Sequence, residues 1–329
     1  MSAVETIANG APDERRSGPA GSGGDSSRRS GRKWTETATP WGLLAPSITV
    51  LVVVLGYPLY HMVQISFENY GQSQLWGFLP ATSAGFSNYT KVLSDNTFWA
   101  VVVRTIAFTG GAVILTLVIG MAVALLLTKV SAPVRTLMNI AMVASWSMPI
   151  IVAVTVFKWM TDADYGVVNG LLSKIPGVHM TGHDWFVNTY EGFGVIMALV
   201  VWGAVPFVAI TLHAGLTQVP GELEEAARLD GAGAFKVFRH VKLPLLKPLI
   251  VMLATLSVIW DMGVFAQVYL MRGGHPEPQY QLLSTYSYSQ GFVSNNYAAG
   301  SAIAVLTVLL LLGVIAVYMR QMLKIGEVE

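Results

Sequence analysis

Glu225-Ala226-Ala227-Arg228-Leu229-Asp230-Gly231-Ala232, followed by Val241-Lys242-Leu243-Pro244, is a polar island in an apolar chain. Its acids, small residues and glycine do not form a catalytic set. They suit a helical hairpin that a soluble partner could grip. Pro220 fits the first turn of a helix, where its missing N–H is harmless. Glu222, Glu224 and Glu225 then fall at the positive end of that helix dipole, each stabilising it by a few tenths of a kcal/mol. Gly231 marks the helix end, because glycine accepts the left-handed cap conformation. A second short helix is expected over about 234–242, with Lys236, Arg239 and Lys242 toward its negative end. Pro244 is expected to close it and Pro248 to open the next apolar stretch. Loop chemistry by itself leaves a second reading open, a well-capped loop that merely follows charge topology.

A second set sits inside an apolar stretch: Trp260 and Asp261, with Gln267 and Tyr269 on the same predicted helix. A carboxylate near the centre of a membrane helix costs roughly 2.5–3.5 kcal/mol. Asp261 is therefore expected to face a protein partner or a wet cavity. Sugars present apolar ring faces and hydroxyls, so aromatic rings with amides and a carboxylate would line a sugar path. Trp146, followed by Ser147 and Pro149, is a further candidate for that path, and Pro149 is expected to kink its helix. The competing reading makes Asp261 an interhelical hydrogen-bond partner and the aromatics packing or interface residues.

Other chemistries are excluded. There is no cysteine, so thiol catalysis and cysteine metal sites are ruled out. No Gly-x-x-x-x-Gly-Lys-Ser/Thr loop occurs, so the chain is not expected to bind or hydrolyse ATP itself. No Gly-x-Ser-x-Gly nucleophile elbow or His-Glu-x-x-His metal motif occurs, and the six His are scattered. No bound cofactor, metal or nucleic acid is expected.

The elements that position these residues are membrane helices. Charged residues make up 12% of the 329 residues and hydrophobic ones 53%, against about 25% charge in soluble domains. Six apolar stretches are long enough to cross a bilayer core, near 42–66, 100–128, 135–158, 192–215, 246–270 and 299–319. The eleven Leu, Ile and Val between Ala302 and Tyr318 favour insertion by about 3–6 kcal/mol. Helices are required because lipid offers no partner to an open backbone, which makes the expected fold all-α and polytopic. With both termini in the cytosol, fifteen of the twenty Lys and Arg fall inside, as the positive-inside rule asks. The loop 216–244 is then cytosolic. Three segments, near 67–99, 159–191 and 271–298, lie outside and are long enough to hold short surface helices, one of them at 88–93. Residues 1–40 are rich in Gly, Ser, Pro and Arg and are expected to form a disordered cytosolic tail, with 41–329 as the transmembrane domain. The first apolar run is too long for a signal peptide, and no small-residue cleavage site follows it.

The hairpin resembles the EAA motif of binding-protein-dependent ABC importer permeases: Glu-Ala-Ala, three residues, Gly, nine residues, then Ile-x-Leu-Pro. It stands here as Glu225-Ala226-Ala227, Gly231 and Val241-Lys242-Leu243-Pro244, with Val241 for Ile as the one departure. Leu44-Ala45-Pro46, Tyr57-Pro58, Phe86-Ser87-Asn88-Tyr89, Trp202, Pro206-Phe207 and Gly273-Gly274 extend the likeness to the maltose/glycerol-phosphate type, first-permease subunit. Arg104-Thr105 replaces an Asn-Thr pair frequent there, so no role of that Asn carries over.

The resemblance implies a type I ABC importer permease fold in a bacterial plasma (inner) membrane. It implies a subunit that moves a sugar or oligosaccharide by alternating access. Its partners would be a second homologous permease, two ABC ATPases that use the ATP, and an extracytoplasmic solute-binding protein. Carried over, Glu222, Glu225, Ala226, Ala227, Asp230, Gly231, Ala232, Leu243 and Pro244 would couple the chain to the ATPase. Two alternatives remain: the same machinery importing another polar solute such as glycerol phosphate, and a membrane scaffold that recruits a soluble protein without transport.

Overall fold

The computed structural model describes residues 43–326; the Gly- and Arg-rich stretch 1–40 lies outside them. The chain divides after Leu59 into two compact units. The first is described by the opening turns of α1, a helix over Leu43–Ser66. Its apolar side chains, Val50 to Leu55 among them, are exposed. Pro58 has no N–H to donate, and the turn before it widens to a π-helix at Val52–Gly56.

The second unit starts with the last turns of α1 and a small antiparallel pair, β1 (Glu68–Asn69) and β2 (Thr82–Ser83), with Glu68 opposite Ser83. Short helices α2 (Gln72–Leu75) and α3 (Ser87–Ser94) flank it. The surface helix expected at 88–93 is thus present as α3. α4 (Asn96–Lys129) follows, capped by Asp95, whose carboxylate accepts the Thr97 N–H at 2.8 Å.

The third expected span is two helices, α5 (Ala132–Trp146) and α6 (Ile150–Met160), bent by 100°. Pro149 does more than kink a continuous helix. It cannot donate into the preceding turn, it pushes Met148 out of the helical region, and it caps the start of α6. α7 (Val167–Leu172) leads to α8 (Thr189–Thr217), α9 (Gly221–Leu229) and α10 (Ala234–Met262). α11 (Ala266–Met271), α12 (Leu283–Tyr288) and α13 (Tyr297–Gly326) complete the chain. Five of these helices are long and apolar enough to cross a membrane, six spans if the bent pair is one.

α10 corrects two sequence expectations. Pro244 does not close a short helix; the backbone absorbs it with a π-turn at Phe238–Lys242 and runs on to Met262. The same device precedes Pro58, because a wider turn leaves room for a residue that cannot donate. The span also stops at Met262 rather than continuing to 270. Gly263 ends it, and Phe265 (φ −123, ψ −60) leaves helical geometry before α11 begins. Gln267 and Tyr269 are therefore on a different helix from Asp261.

α4 and α8 run parallel. Gly111 meets Met197 and, nine residues on, Gly120 meets Val208. A Cβ on Gly120 would lie 2.7 Å from Val208 Cγ1, so only glycine allows this approach. Ala124, Val208, Leu212, Leu216, Leu246 and Leu253 form the core near the hairpin. Phe108, Ala112, Ile196, Leu199, Val268 and Tyr280 form the core toward the other end.

That far end is clasped by polar contacts across sequence. Arg104 on α4 donates to the carbonyls of Pro278 and Gln281 at 2.9 and 2.8 Å. Tyr280 donates to the Phe186 carbonyl at 3.0 Å, and Arg272 lies over the rings of Phe186 and Tyr280 while pairing with Glu277. That guanidinium holds the Glu277 carboxyl below its ordinary value. Tyr286 donates to Asp95 at 3.1 Å; burial, helped by that carboxylate, pushes its phenol up to about 12.

α13 packs on the stretch after α12 through Gly300. A Cβ there would meet the Gly291 backbone at 2.7–2.8 Å and the Ser287 carbonyl at 2.9 Å, and backbone cannot yield. Gly300→Ala is expected to cost about 1–3 kcal/mol and to lower the thermal unfolding midpoint of the detergent-purified chain. Gly313→Ala, with nothing within 4 Å, should leave the midpoint unchanged.

Candidate functional site

Two regions hold the candidate residues. The first is the hairpin. α9 begins after Pro220 and ends in a Schellman cap: the Ala232 N–H reaches the Ala227 carbonyl at 2.9 Å and the Gly231 N–H the Arg228 carbonyl at 3.0 Å. Gly231 has φ +81 and stands where a left-handed residue is required. Glu222 and Glu224 lie in the first turn, where the helix dipole favours them. Glu222, Glu225, Ala226, Asp230 and Gly231 are exposed, and Ala227 and Ala232 half-buried. Leu243 and Pro244, also exposed, sit just beyond the π-turn in α10.

Two apolar residues of the hairpin are also exposed. Leu229 is 89% and Phe235 71% exposed.

The hairpin is fixed to α10 by an ion pair that the sequence spacing does not reveal. Glu224 meets Lys242 at 2.7 Å, each side chain about one-fifth exposed, and Arg228 at 3.6 Å. Lys242 therefore serves as a clamp, not as a charge at the end of a short helix. Lys242→Ala should loosen the hairpin by about 1 kcal/mol, read as faster amide hydrogen exchange over 221–233. The charge-swapped pair Glu224→Lys with Lys242→Glu should restore part of the protection.

The second region is a cavity of about 260 Å³ among α5, α6, α8, the end of α10 and the start of α11. Trp146, Trp260, Asp261 and Gln267 all line it. Asp261 is 5% exposed, and its Oδ2 has no hydrogen-bond partner among the described residues. Trp146 stacks on Phe207 (centroids 6.0 Å, 23°), and Trp260 meets the same ring edge-on at 5.5 Å. Tyr269 is not part of the cavity. It stacks on Phe265 at 5.0 Å and meets Tyr288 at 5.3 Å, because the break at 263–265 turns α11 away from the α10 axis.

α8 supplies the wall that sequence reasoning missed: Trp202, Gly203 and Ala204 line the cavity, and Phe207 supports both tryptophans. No ionisable residue marks this stretch. Its signal is Pro206 inside the helix, which removes the helical donor for the Trp202 carbonyl and leaves a polar atom in an apolar span.

Residues 116–324 match the family described as "Binding-protein-dependent transport system inner membrane component". The chain is 40% identical over 326 residues to the diacetylchitobiose uptake system permease protein DasB of Streptomyces coelicolor, covering 99% of this chain and 98% of that one. It is 30% identical to the trehalose/maltose transport system permease protein MalF of Thermococcus litoralis, over 90% of this chain and 97% of that one. A crystal structure of a bacterial alginate ABC transporter, in complex with alginate pentasaccharide-bound periplasmic protein, superposes with TM-score 0.74 at 18% identity. It covers 89% of this chain and 97% of that one, a likeness of fold. The chain belongs to the binding-protein-dependent transport system inner membrane components and is a multi-pass protein of the bacterial membrane.

Proposed function

We propose that this chain is one permease subunit of an ATP-driven importer that moves a sugar or oligosaccharide by alternating access. The observation that carries the reading is the continuity of α10. One helix joins the clamped hairpin at Ala234 to the cavity at Trp260 and Asp261. A displacement applied to α9 therefore passes through the Glu224–Lys242 clamp into a helix that runs without a loop to the cavity.

In this reading the hairpin end is cytosolic, as the distribution of Lys and Arg favours. Two ABC ATPases bind there, and their closure on ATP pulls Glu222, Glu225, Ala226, Ala227 and Asp230. The chain itself carries no ATP site. A second, homologous permease completes the central path, since one bundle lines only half of it. An extracytoplasmic solute-binding protein delivers the cargo at the far end. Residues 41–329 form the permease domain.

Sugar cargo is supported by the relatives, whose names specify diacetylchitobiose and trehalose/maltose uptake, and by the cavity lining. Three tryptophans, Trp146, Trp202 and Trp260, offer apolar faces, while Gln267 and Asp261 offer hydrogen bonds. Among the described residues Asp261 is the one ionisable side chain lining the cavity, which disfavours an anion such as glycerol phosphate.

Reconstitution with the two ATPases, the second permease and the solute-binding protein tests this. Sugar-loaded binding protein should stimulate ATP turnover, and labelled sugar should enter the vesicles. A chain that neither copurifies with a Walker-motif ATPase nor responds to binding protein would be a scaffold instead.

A further inference from the structure

A second cavity, of about 460 Å³, lies at the end away from the hairpin, between α2, α3, the start of α4, α12 and the turn into α13. It shares no lining residue with the Asp261 cavity. Carboxamides dominate its wall: Asn69, Gln74, Asn88, Gln290, Asn295 and Asn296. Lys91 and Asp95 contribute one charge of each sign.

Several of these groups have capacity to spare. Gln74 uses its carbonyl to accept from the Gly71 N–H, and Asn296 uses its own to accept from the Ala299 N–H. Their amide N–H groups face no partner among the described residues, nor does the Asn295 side chain. Asn295 is also the one non-glycine residue there with positive φ, at 55. Hydrogen bonds on either side fix that turn, from the Ser294 N–H to the Ser289 carbonyl and from the Asn296 N–H to the Gln290 carbonyl.

The lining selects a ligand chemistry. Amides donate and accept, as hydroxyls do, so a neutral polyhydroxylated molecule satisfies them. An anion meets Asp95, a cation meets Lys91, and an apolar ligand leaves the amides unpaired. The volume is in the range of small-molecule sites, about 300–1,000 Å³.

A ladder of aromatic rings leads from this cavity toward Asp261. Tyr70, in the wall, meets Tyr297 at 6.3 Å; Tyr297 meets Phe292 at 5.7 Å. Phe292 stacks on Tyr288 at 5.1 Å, and Tyr288 meets Phe265 at 5.2 Å. Phe265 lies between Val264 and Gln267, both in the Asp261 cavity wall. Each step is comparable to the width of one sugar ring.

We propose that the outer cavity is a second carbohydrate subsite, which holds a neutral mono- or disaccharide unit before it passes along the ladder to Asp261. The proposal rests on the sugar-import reading above, and its test separates the two.

The chain has no cysteine, so single thiols report cleanly. Lys91→Cys and Gln290→Cys place one in the outer wall, Ser145→Cys one in the Asp261 cavity, and Leu93→Cys one on α3 outside both. The full chain in nanodiscs is labelled with a polar maleimide in the presence of diacetylchitobiose, maltose or trehalose. One of these sugars is expected to slow labelling at 91 and 290, about tenfold at a concentration about nine times the dissociation constant, and to leave position 93 unaffected. That protection should survive Asp261→Asn. Asn295→Gly, which keeps the turn and removes the amide, should raise the protecting concentration about tenfold, the loss of one good hydrogen bond.

Protection at 145 but not at 91 and 290 would overturn the outer subsite and leave sugar import standing. Protection at none of the three would overturn the outer subsite, and sugar import would then be decided by uptake in the reconstituted assembly. Protection at 91 and 290 by purified solute-binding protein, and by no sugar, would make the cavity a protein socket and overturn the proposal.

Discussion

Gly231→Val is expected to cut coupled sugar uptake about tenfold or more while the chain still inserts in the membrane. The cause is the backbone. A Cβ at 231 would meet nothing within 4 Å, but φ is +81. An L-residue in the left-handed region costs roughly 1–2 kcal/mol, and a β-branched one is a genuine outlier. The Schellman cap then opens, and α9 leaves its angle to α10.

Uptake should fall about tenfold or more, since each 1.4 kcal/mol is a factor of ten. The order across substitutions is itself diagnostic. Asn tolerates the left-handed region best, so Gly231→Asn should retain most activity, Gly231→Ala less and Gly231→Val least. Uptake in vesicles, beside ATPase copurification, reads this out. Full uptake by Gly231→Val would detach the hairpin from the mechanism.

Asp261→Ala should cut uptake by about 10–100-fold, the range for losing a hydrogen bond to a charged group, about 1.5–3 kcal/mol. ATPase copurification should be unchanged, because Asp261 lies at the opposite end of α10 from the clamp. Stability separates this from a packing role. Asp261 is buried with Oδ2 unpartnered among the described residues, so its removal should leave the thermal midpoint unchanged or raise it. A lower midpoint with unchanged uptake kinetics would assign Asp261 to interhelical packing. Asp261→Asn keeps the shape and should fall between the two in uptake.

The candidate residues show where sequence reading reaches and where it stops. The cap at Gly231 was legible because a glycine after a charged run has a local reason to be there. The Glu224–Lys242 clamp was not, because the eighteen-residue separation depends on how two helices meet. Asp261 stands out as a carboxylate in an apolar run, whereas Trp202, which lines the same cavity, and Phe207, which supports Trp146 and Trp260, look like ordinary packing residues in sequence. The apolar run continues past Met262 and so groups Tyr269 with Asp261 in sequence; three residues of irregular backbone at 263–265 separate them in space.

Composition and spacing fixed the number of spans, their all-helical character and the position of the polar hairpin. Those follow from local rules: lipid forbids open backbone, and charge stays out of it. The bend of 100° at Ser147–Pro149, the unbroken course of α10 through two prolines and the gathering of Trp146, Trp260, Asp261 and Gln267 around one cavity came from the fold. Each depends on which neighbour occupies the space beside a helix, and that is set by contacts between residues far apart in the chain.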